Sequence, residues 1–301
     1  MAKRGGQMKL GYACINTTLP SRFKTCRLKT VEIEGIKKVK ELSIHNLTEV
    51  LRVVRWNIEN GIFFFRLSSE LIPFASHPSV MWEWDKDEDI IALTNEIKHM
   101  GEQHNVRFSV HPGQYTVLNS PKEQVVTNSV AELAYHQKIL DLIGGTDMIL
   151  HVGGAYGDKV TAKERFVQNY DKLSEGIKAV LRIENDDKTY TALDVLELHE
   201  RTGVPVCFDI HHHRCNHEEE SDTEAILTRV FQSWPSGQTP KMHISSGRNA
   251  AADPAHHDYI LEEDFEAFVQ MLGGRDVDIM CEAKMKEQAV LRLQQLYPEW
   301  Q

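Results

Sequence analysis

Cysteine is scarce in this sequence, and the cysteines present follow no disulfide or zinc pattern. The 301 residues include five cysteines, an odd number, and no two of them stand in CxxC spacing. No secretory signal precedes them. These features argue against a fold stabilised by disulfide bonds and predict a protein of the reducing cytoplasm.

Long hydrophobic runs and an excess of basic charge are missing as well. The longest apolar runs, such as residues 61–65, are far shorter than the ~20 residues of a membrane helix, so we predict no membrane contact. The formal net charge of −10 argues against a uniformly basic DNA-binding face but not against a local basic rim. With 41% hydrophobic and 26% charged residues, the chain can bury a sizeable core.

A repeating alternation of short β-rich runs and longer helical stretches is present instead. This pattern, with Gly or Pro before several strands, is typical of a (β/α)8 or TIM barrel, an α/β fold. Because no linker-like segment interrupts it, we predict a single catalytic domain over residues 1–301, with a flexible segment at 1–8. The predicted strands cover residues 10–15, 63–67, 107–110, 148–152, 179–184, 204–210, 241–245 and 277–282. The two segments that overrun the pattern, residues 16–42 and 68–87, are predicted to be long loops.

The residues at the carboxyl ends of the predicted strands are the strongest functional signal, because the active sites of such barrels lie there. Six strands in succession end in or carry a histidine or a carboxylate. Crowded in a low-dielectric barrel mouth, such groups would repel or stay unpaired unless cations lay between them. A metal cluster is therefore predicted. The residues concerned are His111, His151, Glu184, Asp209, His243 and Glu282.

The stretch Cys207–His217, written CFDIHHHRCNH, concentrates four histidines and two cysteines in eleven residues. It is a poor self-contained zinc site, because Cys215 and His217 match no common structural zinc spacing and a second cysteine pair is missing. Asp209 and His212, in DxxH spacing, can instead ligate neighbouring ions. We therefore interpret the stretch as one contribution to a site assembled from distant strands.

The type and number of donors indicate the kind of metal. Imidazole nitrogens and carboxylate oxygens without thiolate suit Mn²⁺, Zn²⁺ or Fe²⁺. A loop histidine, either His256 or its neighbour His257, adds a further donor, and the set is then too large for one ion. Two or three ions, bridged by a carboxylate such as Glu184, fit better.

Lys241 lies two residues before His243 and therefore faces the same side of its strand. A cationic amine beside metal ions would be repelled by them. Lys241 should accordingly be neutral, paired with a carboxylate, or carbamylated into an anionic ligand. The sequence leaves these alternatives open.

Five residues near the predicted barrel mouth are candidates for substrate contact. Gln114 and Tyr115 lie on a predicted turn, where Tyr115 can pack against its own loop or enter a base stack as a wedge. Tyr12 and Asn16, near the end of the first strand, can contact a phosphate or stabilise the mouth. His77 lies in a long loop, where substrate contact and a plain surface position are both open.

Taken in order, the motifs of this chain resemble those of the UV damage endonuclease family. The resemblance extends from about Lys9 to Glu282, and it is specific because many motifs occur in the same order. The motifs are GYACIN at 11–16, TCRLK at 25–29, FRLSS at 65–69, FASH at 74–77, HPGQY at 111–115, HVGG at 151–154, END at 184–186, FDIHH at 208–212 and KMHISS at 241–246.

The resemblance implies an ATP-independent DNA repair endonuclease on a barrel related to endonuclease IV. Such an enzyme nicks double-stranded DNA immediately 5′ to cyclobutane dimers and 6-4 photoproducts, and often at abasic sites. Attack by metal-activated hydroxide leaves a 3′-hydroxyl and a 5′-phosphate. The implied cofactor is Mn²⁺, in two or three ions. We expect no obligate protein partner and a cytoplasmic, nucleoid-associated location.

The resemblance also assigns roles to individual residues. The implied metal ligands are His111, His151, Glu184, Asp209, His212, His243, His256 and Glu282. Glu184, Lys241 and His243 are the implied catalytic residues, and Lys241 is the candidate modified lysine. The implied DNA contacts are Gln114 and Tyr115 on the strand opposite the lesion, and Tyr12, Asn16 and His77 at the lesion pocket or a phosphate.

Two other functions stay open from the sequence. A metal-dependent sugar isomerase or epimerase would use the same barrel and strand ends, but it needs fewer ions and a smaller pocket. A non-catalytic DNA-damage binder would have no need of a full ligand set. Isomerase activity on pentoses would favour the first, and EDTA-insensitive lesion binding without nicking would favour the second.

Overall fold

Eight short parallel strands form the centre of the computed structural model, which describes residues 8–20, 22–219 and 221–298. They are hydrogen-bonded in the order β6-β5-β4-β3-β2-β1-β8-β7. The amide of His243 donates to the carbonyl of Phe208 at 2.9 Å, and this contact joins β7 to the end of β6. The predicted (β/α)8 barrel is therefore confirmed. The strands are β1 (Leu10–Ala13), β2 (Phe64–Arg66), β3 (Arg107–Val110), β4 (Asp147–His151), β5 (Leu181–Glu184), β6 (Val206–Cys207), β7 (Lys241–Ile244) and β8 (Asp278–Cys281).

Helices follow every strand and surround the barrel. Their buried faces and the strands contribute to one large apolar cluster. The helices are α1 (Leu28–Glu34), α2 (Ile36–Glu59), α3 (Glu88–Gln103), α4 (Glu123–Ile143), α5 (Lys159–Asp171), α6 (Glu175–Val180), α7 (Ala192–Thr202), α8 (Ile210–Cys215), α9 (Thr223–Ser233), α10 (Glu262–Leu272) and α11 (Glu287–Leu296).

Local sequence signals explain where these elements begin and end. Helix α7 starts with a capping box, in which Thr191 and Asp194 each accept a hydrogen bond from the other's backbone amide. It ends at Gly203, whose φ of 75° is readily adopted only by glycine. In β1, a side chain at Gly11 would come within 2.5 Å of the carbonyl oxygen of Phe64, so glycine permits the close approach of β2.

Two sequence predictions differ from the structure. Residues 16–42 were expected to form a loop, but α1 and the start of α2 lie within them, separated at Gly35, where φ is 71°. The sixth strand was expected to continue to Ile210, but it ends at Cys207. Asp209 ends the extended segment because its carboxylate accepts the amide of His212 and thereby caps α8.

A network of paired charges lies at the amino ends of the strands. Asp147 accepts hydrogen bonds from Arg107 at 2.9 Å and from Arg182 at 3.1 Å. Arg107 also donates to Asp278 at 2.9 Å. Burial acts to raise the pKa of Asp147, but the two guanidinium groups outweigh it and hold this pKa below its usual range. The buried charges at this end are thus compensated within the protein.

The described residues include no helix that is long and apolar enough to cross a membrane. The predicted flexible segment at 1–8 lies outside the described residues, apart from Met8. The assignment of residues 1–301 to a single domain stays a prediction.

Candidate metal centre at the carboxyl end of the barrel

Glu184, the last residue of β5, lies at the centre of the predicted ligands. Its Oε2 is 3.1 Å from Nε2 of His111 and 3.5 Å from Nε2 of His151. Its Oε1 is 2.7 Å from Nδ1 of His243. Two ligands that bind one ion at ~2.1 Å and at right angles are about 3 Å apart. The spacing around Glu184 is therefore suited to metal ligands.

Two more carboxylates border this group. Glu282 Oε1 is 3.3 Å from Nδ1 of His243, and Asp209 Oδ2 is 3.7 Å from Nδ1 of His212. The donor atoms form two triads, each with all its atoms within 4.8 Å of one another. The triads are His111, His151 and Glu184, and Glu184, Asp209 and His243. Since they share Glu184, the arrangement is a candidate divalent-metal site with a bridging carboxylate.

Several buried polar atoms of the site support this interpretation. Asp209 Oδ2, His151 Nδ1 and His243 Nε2 find no hydrogen-bond partner among the described residues. Buried polar atoms in proteins are nearly always satisfied, so such atoms in one small region need an explanation. Nitrogen and carboxylate oxygen donors of this kind fit divalent ions such as Mn²⁺ or Zn²⁺.

Nearby thiols do not add to the donor set. Burial raises the pKa of Cys207 well above its usual value and that of Cys281 to about 12. Both thiols are therefore protonated at neutral pH, and a neutral thiol is a poor metal ligand. The site consequently offers hard and borderline donors, as predicted from the sequence.

The carboxylates and imidazoles of the site shift one another's pKa values. Burial acts to raise the pKa of Glu184, but His243, His151 and the hydrogen bond with His111 outweigh it and hold this pKa well below its usual range. Burial lowers the pKa of His111 to about 4, so its imidazole is neutral. For His212, burial acts to lower the pKa, but the nearby carboxylates, above all Asp209, raise it to about 9. The acidic groups thus hold a cation, here a proton, in place.

Asn185 positions two of the ligands, and no role for it was predicted from the sequence. Its side-chain amide donates one hydrogen bond to the backbone of Asp209 and accepts another from it, each of 2.9 Å. The backbone carbonyl of Asn185 accepts a hydrogen bond from Nδ1 of His212 at 2.9 Å. Partners of this kind fix the orientation of metal ligands. The available signal was its position directly after Glu184 at the end of a strand.

Arg66, at the end of β2, forms an ion pair with Glu282. Burial acts to raise the pKa of Glu282, and Arg66 and His243 outweigh it and hold this pKa well below its usual range. Both side chains are largely buried. Arg66 therefore keeps Glu282 ionised and directed toward the cluster.

Lys241 is fully buried inside the barrel. Its amine donates to Oγ of Ser109 at 3.1 Å, and no carboxylate in the described part of the chain forms an ion pair with it. Burial lowers the pKa of Lys241 to about 8, and the cationic Arg66 acts in the same direction. A sizeable fraction of the amine is thus neutral near pH 8 and able to react as a nucleophile.

The two loop histidines are in different environments. The ring of His256 lies 5.8 Å from the ring of His211 and belongs to neither of the two triads that the described residues form. Nδ1 of His257 lies 3.1 Å from the backbone nitrogen and oxygen of Tyr259, so its own turn occupies it. Ligation by His256 stays a prediction.

Tyr12 and Asn16 have contacts that hold the first loop together. The fully buried hydroxyl of Tyr12 donates to Asn57 Oδ1 at 2.7 Å and accepts from Asn16 Nδ2 at 3.0 Å. Oδ1 of Asn16 accepts the amides of Thr18 and Leu19. In this conformation both residues stabilise the mouth, and their role as DNA contacts stays a prediction.

The other three DNA-contact candidates are more accessible. Gln114 and Tyr115 are exposed on the turn after β3, and 83% of Tyr115 is accessible to solvent. His77 is half-buried, and its Nδ1 accepts the amide of Ser79 at 3.2 Å. An exposed aromatic ring beside a polar site is unusual for loop packing, and it leaves Tyr115 free for intermolecular contact.

The fold and the site together define a (β/α)8-barrel protein with a candidate divalent-metal centre at the carboxyl ends of its strands. The family model described as UV-endonuclease UvdE matches residues 8–301. The chain therefore belongs to the UV-endonuclease UvdE family.

Individual relatives agree with this assignment. The UV DNA damage endonuclease of Bacillus pumilus (strain SAFR-032) is 38% identical over 269 residues, which cover 86% of this chain and 82% of the relative. The crystal structure of SacUVDE matches with a TM-score of 0.87 and 35% identity, over 97% of this chain and 99% of that one. Endonuclease IV from Thermus thermophilus, at 18% identity and a TM-score of 0.57 over 82% of this chain and 92% of that one, shares the fold.

Proposed function

We propose that this protein is an ATP-independent, metal-dependent DNA repair endonuclease. It nicks double-stranded DNA immediately 5′ to cyclobutane dimers and 6-4 photoproducts, and also at abasic sites, and leaves a 3′-hydroxyl and a 5′-phosphate. It acts in the cytoplasm at the nucleoid and needs no obligate protein partner. Membership of the UvdE family supports the DNA repair endonuclease activity itself.

The observation that carries the proposal is the pair of donor triads that share Glu184. Hydrolysis of a phosphodiester needs an activated water and stabilisation of negative charge on phosphate and leaving oxygen. Divalent ions, here Mn²⁺ in two or three positions, supply both when bound. A sugar isomerase would use fewer donors, and a pure binder would use none.

The residues of the chain have distinct tasks in this scheme. Glu184 bridges the two triads, and His212, His256 and Glu282 complete the set of ligands. Asn185 keeps Asp209 and His212 in place through its three hydrogen bonds. The ionised ligands neutralise part of the metal charge.

Lys241 is proposed to be carbamylated and to serve as an anionic ligand. Its burial and lowered pKa favour the neutral amine that reacts with carbon dioxide. Loss of a proton and formation of an N–C bond convert the amine into a carbamate. Peptide mass analysis under non-acidic conditions would show the added mass, and an unmodified Lys241 peptide would contradict this part of the proposal.

Recognition depends on DNA that a lesion has already weakened. Damaged bases stack poorly, so the few-kcal/mol cost of unstacking them is reduced. The exposed pair Gln114 and Tyr115 is proposed to enter the gap on the strand opposite the lesion. Tyr12, Asn16 and His77 are proposed to line the pocket or contact a phosphate.

The decisive experiment is a nicking assay on an end-labelled duplex with a single thymine dimer, with Mn²⁺ and with EDTA, beside an undamaged duplex. We expect a cut immediately 5′ to the dimer that requires metal. Well-folded, manganese-loaded protein that makes no cut would overturn the proposal. Turnover of a pentose would then favour the isomerase, and EDTA-insensitive lesion binding would favour the damage binder.

A further inference from the structure

Two exposed tyrosines stand on neighbouring loops at the carboxyl end of the barrel. Tyr115 follows β3 and is 83% exposed, and Tyr156 follows β4 and is 48% exposed. Each lies a few residues after a predicted metal ligand, His111 or His151. Tyr156 has no role in the proposed function.

The backbone of Tyr156 is in an unfavourable conformation. Its φ is 51°, in the left-handed region that bulky residues rarely adopt. The neighbouring positive-φ positions, Gly153 and Gly157, are occupied by glycine. Glycine would fit residue 156 without strain, so a side chain is present there at a cost in stability. Such strain is concentrated at functional sites.

The loops that carry the two tyrosines are fastened together. Asn119, in the loop of Tyr115, donates to the carbonyl of Gly154 at 2.8 Å, and the hydroxyl of Tyr190 donates to the same carbonyl at 3.2 Å. Arg165 on α5 donates to the carbonyl of Asn119 at 2.8 Å. These hydrogen bonds tie the loop after β3 to the loop after β4 near both tyrosines.

Arg165 also places a positive charge beside the Tyr156 ring. Its guanidinium carbon is 5.7 Å from the ring centroid, within the range of a cation–π contact. Its buried Nη2 has no hydrogen-bond partner among the described residues. Aromatic rings with cation–π support from arginine commonly stack against unpaired nucleobases.

We propose that Tyr156 is a second stacking contact for a nucleobase, supported by Arg165 and acting together with Tyr115. The inference rests on the proposed function, since it assumes a DNA substrate. In an intact duplex the faces of the bases are covered by their neighbours, so the contact forms only where bases are already unstacked. Tyr156 would thereby increase the preference for distorted DNA.

The test compares Tyr156→Gly with Tyr156→Phe. Glycine removes the ring and the backbone strain together, whereas phenylalanine keeps the ring and loses only the hydroxyl. Single-turnover nicking of a thymine-dimer duplex by manganese-loaded protein gives the half-saturating enzyme concentration and the maximal rate. Fluorescence anisotropy in EDTA gives Kd for the dimer duplex and for an undamaged duplex without cleavage.

We expect Tyr156→Gly to raise the half-saturating concentration and the Kd for the dimer duplex by about 5-fold or more, as loss of one stacked base implies. The maximal rate should stay within about 2-fold, since no ligand is altered, and the undamaged duplex should be affected less. Tyr156→Phe should match the wild type. Val160→Ala, which removes another exposed apolar side chain on α5, is the matched control.

Unchanged lesion binding by Tyr156→Gly, alongside normal nicking by the wild type, would overturn the inference and leave the proposed function intact. Equal losses in Tyr156→Gly and Tyr156→Phe would also overturn it, because the hydroxyl rather than the ring would then matter. If the wild type does not nick, the proposed function fails. A weaker Kd of Tyr156→Gly in EDTA would still uphold the stacking contact.

Discussion

The two ends of this barrel both bury ionisable side chains, but they compensate the charges in different ways. At the amino end, both oxygens of Asp147 accept hydrogen bonds from arginines, Arg107 and Arg182. At the carboxyl end, Glu184 faces histidines, and atoms such as Asp209 Oδ2 have no hydrogen-bond partner among the described residues. Buried carboxylates that are paired with arginines stabilise the fold. Buried carboxylates that need bound cations are instead suited to metal-dependent catalysis.

The largest expected effect lies at the carboxyl end. Glu184→Gln keeps the shape of the side chain but removes the charge shared by both triads. Nicking should fall roughly 1,000-fold or more, since several kcal/mol of transition-state stabilisation by the metals would be lost. Single-turnover assays would measure the nicking rate, and mass spectrometry would measure the metal content of the variant. The control is Asp141→Asn, an exposed carboxylate on α4.

Loss of the ionised Glu184 should lower the unfolding free energy of the metal-free protein, because its histidine neighbours outweigh burial and hold its pKa well below the usual range. Circular dichroism in EDTA should nevertheless show that Glu184→Gln is folded at the assay temperature. A Glu184→Gln protein that is unfolded under these conditions would assign Glu184 a structural role. In that case the two ends of the barrel would not differ in the way proposed.

The amino end should show the opposite pattern. Asp147→Asn leaves the buried Arg182 without its carboxylate partner and Arg107 with only Asp278. The free energy of unfolding should fall by about 3–5 kcal/mol, the usual cost of breaking a buried ion pair. Urea denaturation in EDTA would measure it, beside Glu164→Gln, which removes the more exposed pair with Arg201 and should change stability by less than ~1 kcal/mol. If Asp147→Asn lowered the free energy of unfolding as little as Glu164→Gln, the charges at the amino end would not stabilise the fold, and the contrast between the two ends of the barrel would be wrong.

A smaller effect is expected for the residue that orients the ligands. Asn185→Ala removes both side-chain hydrogen bonds to the Asp209 backbone. Metal affinity should fall about 10- to 100-fold, the usual consequence of losing such a partner. Isothermal titration with Mn²⁺ would measure it, with the exposed Asn128→Ala as control. Unaltered Mn²⁺ affinity would mean that the start of α8 positions Asp209 without help from Asn185.

The smallest expected effect concerns acid stability. The pKa of Asp147 is lower in the folded protein than in the unfolded chain. Its ion pairs therefore contribute fully above the unfolded pKa, near 4, and their contribution is lost as the pH falls through the lower folded pKa. Metal-free wild type should lose stability below pH 4 more steeply than Asp147→Asn. The measurement is the free energy of unfolding of both proteins between pH 2 and pH 5. If it fell with pH by the same amount in both, the ion pairs of Asp147 would not be the source of the acid sensitivity.

Most of the fold and much of the site were predictable because the signals are local. Short segments of the sequence encode the alternation of strands and helices, and they also encode turn glycines such as Gly203. The failures have local causes as well. Residues 204–210 look like one strand, but Asp209 caps a helix, and Gly35 separates two helices where a loop was expected. Competing local signals of this kind are resolved only by packing.

By itself, the sequence determined the eight-fold repeat and the residues at the strand ends, since both follow from periodicity and order along the chain. The tertiary structure decided which atoms meet. The pairing of Arg66 with Glu282 joins residues 216 positions apart, and that of His243 with Glu184 joins residues 59 apart. The structure likewise decided that Tyr12 is buried while Tyr115 and Tyr156 are exposed. Barrel closure sets these contacts, because it brings distant strand ends together at distances that no local pattern encodes.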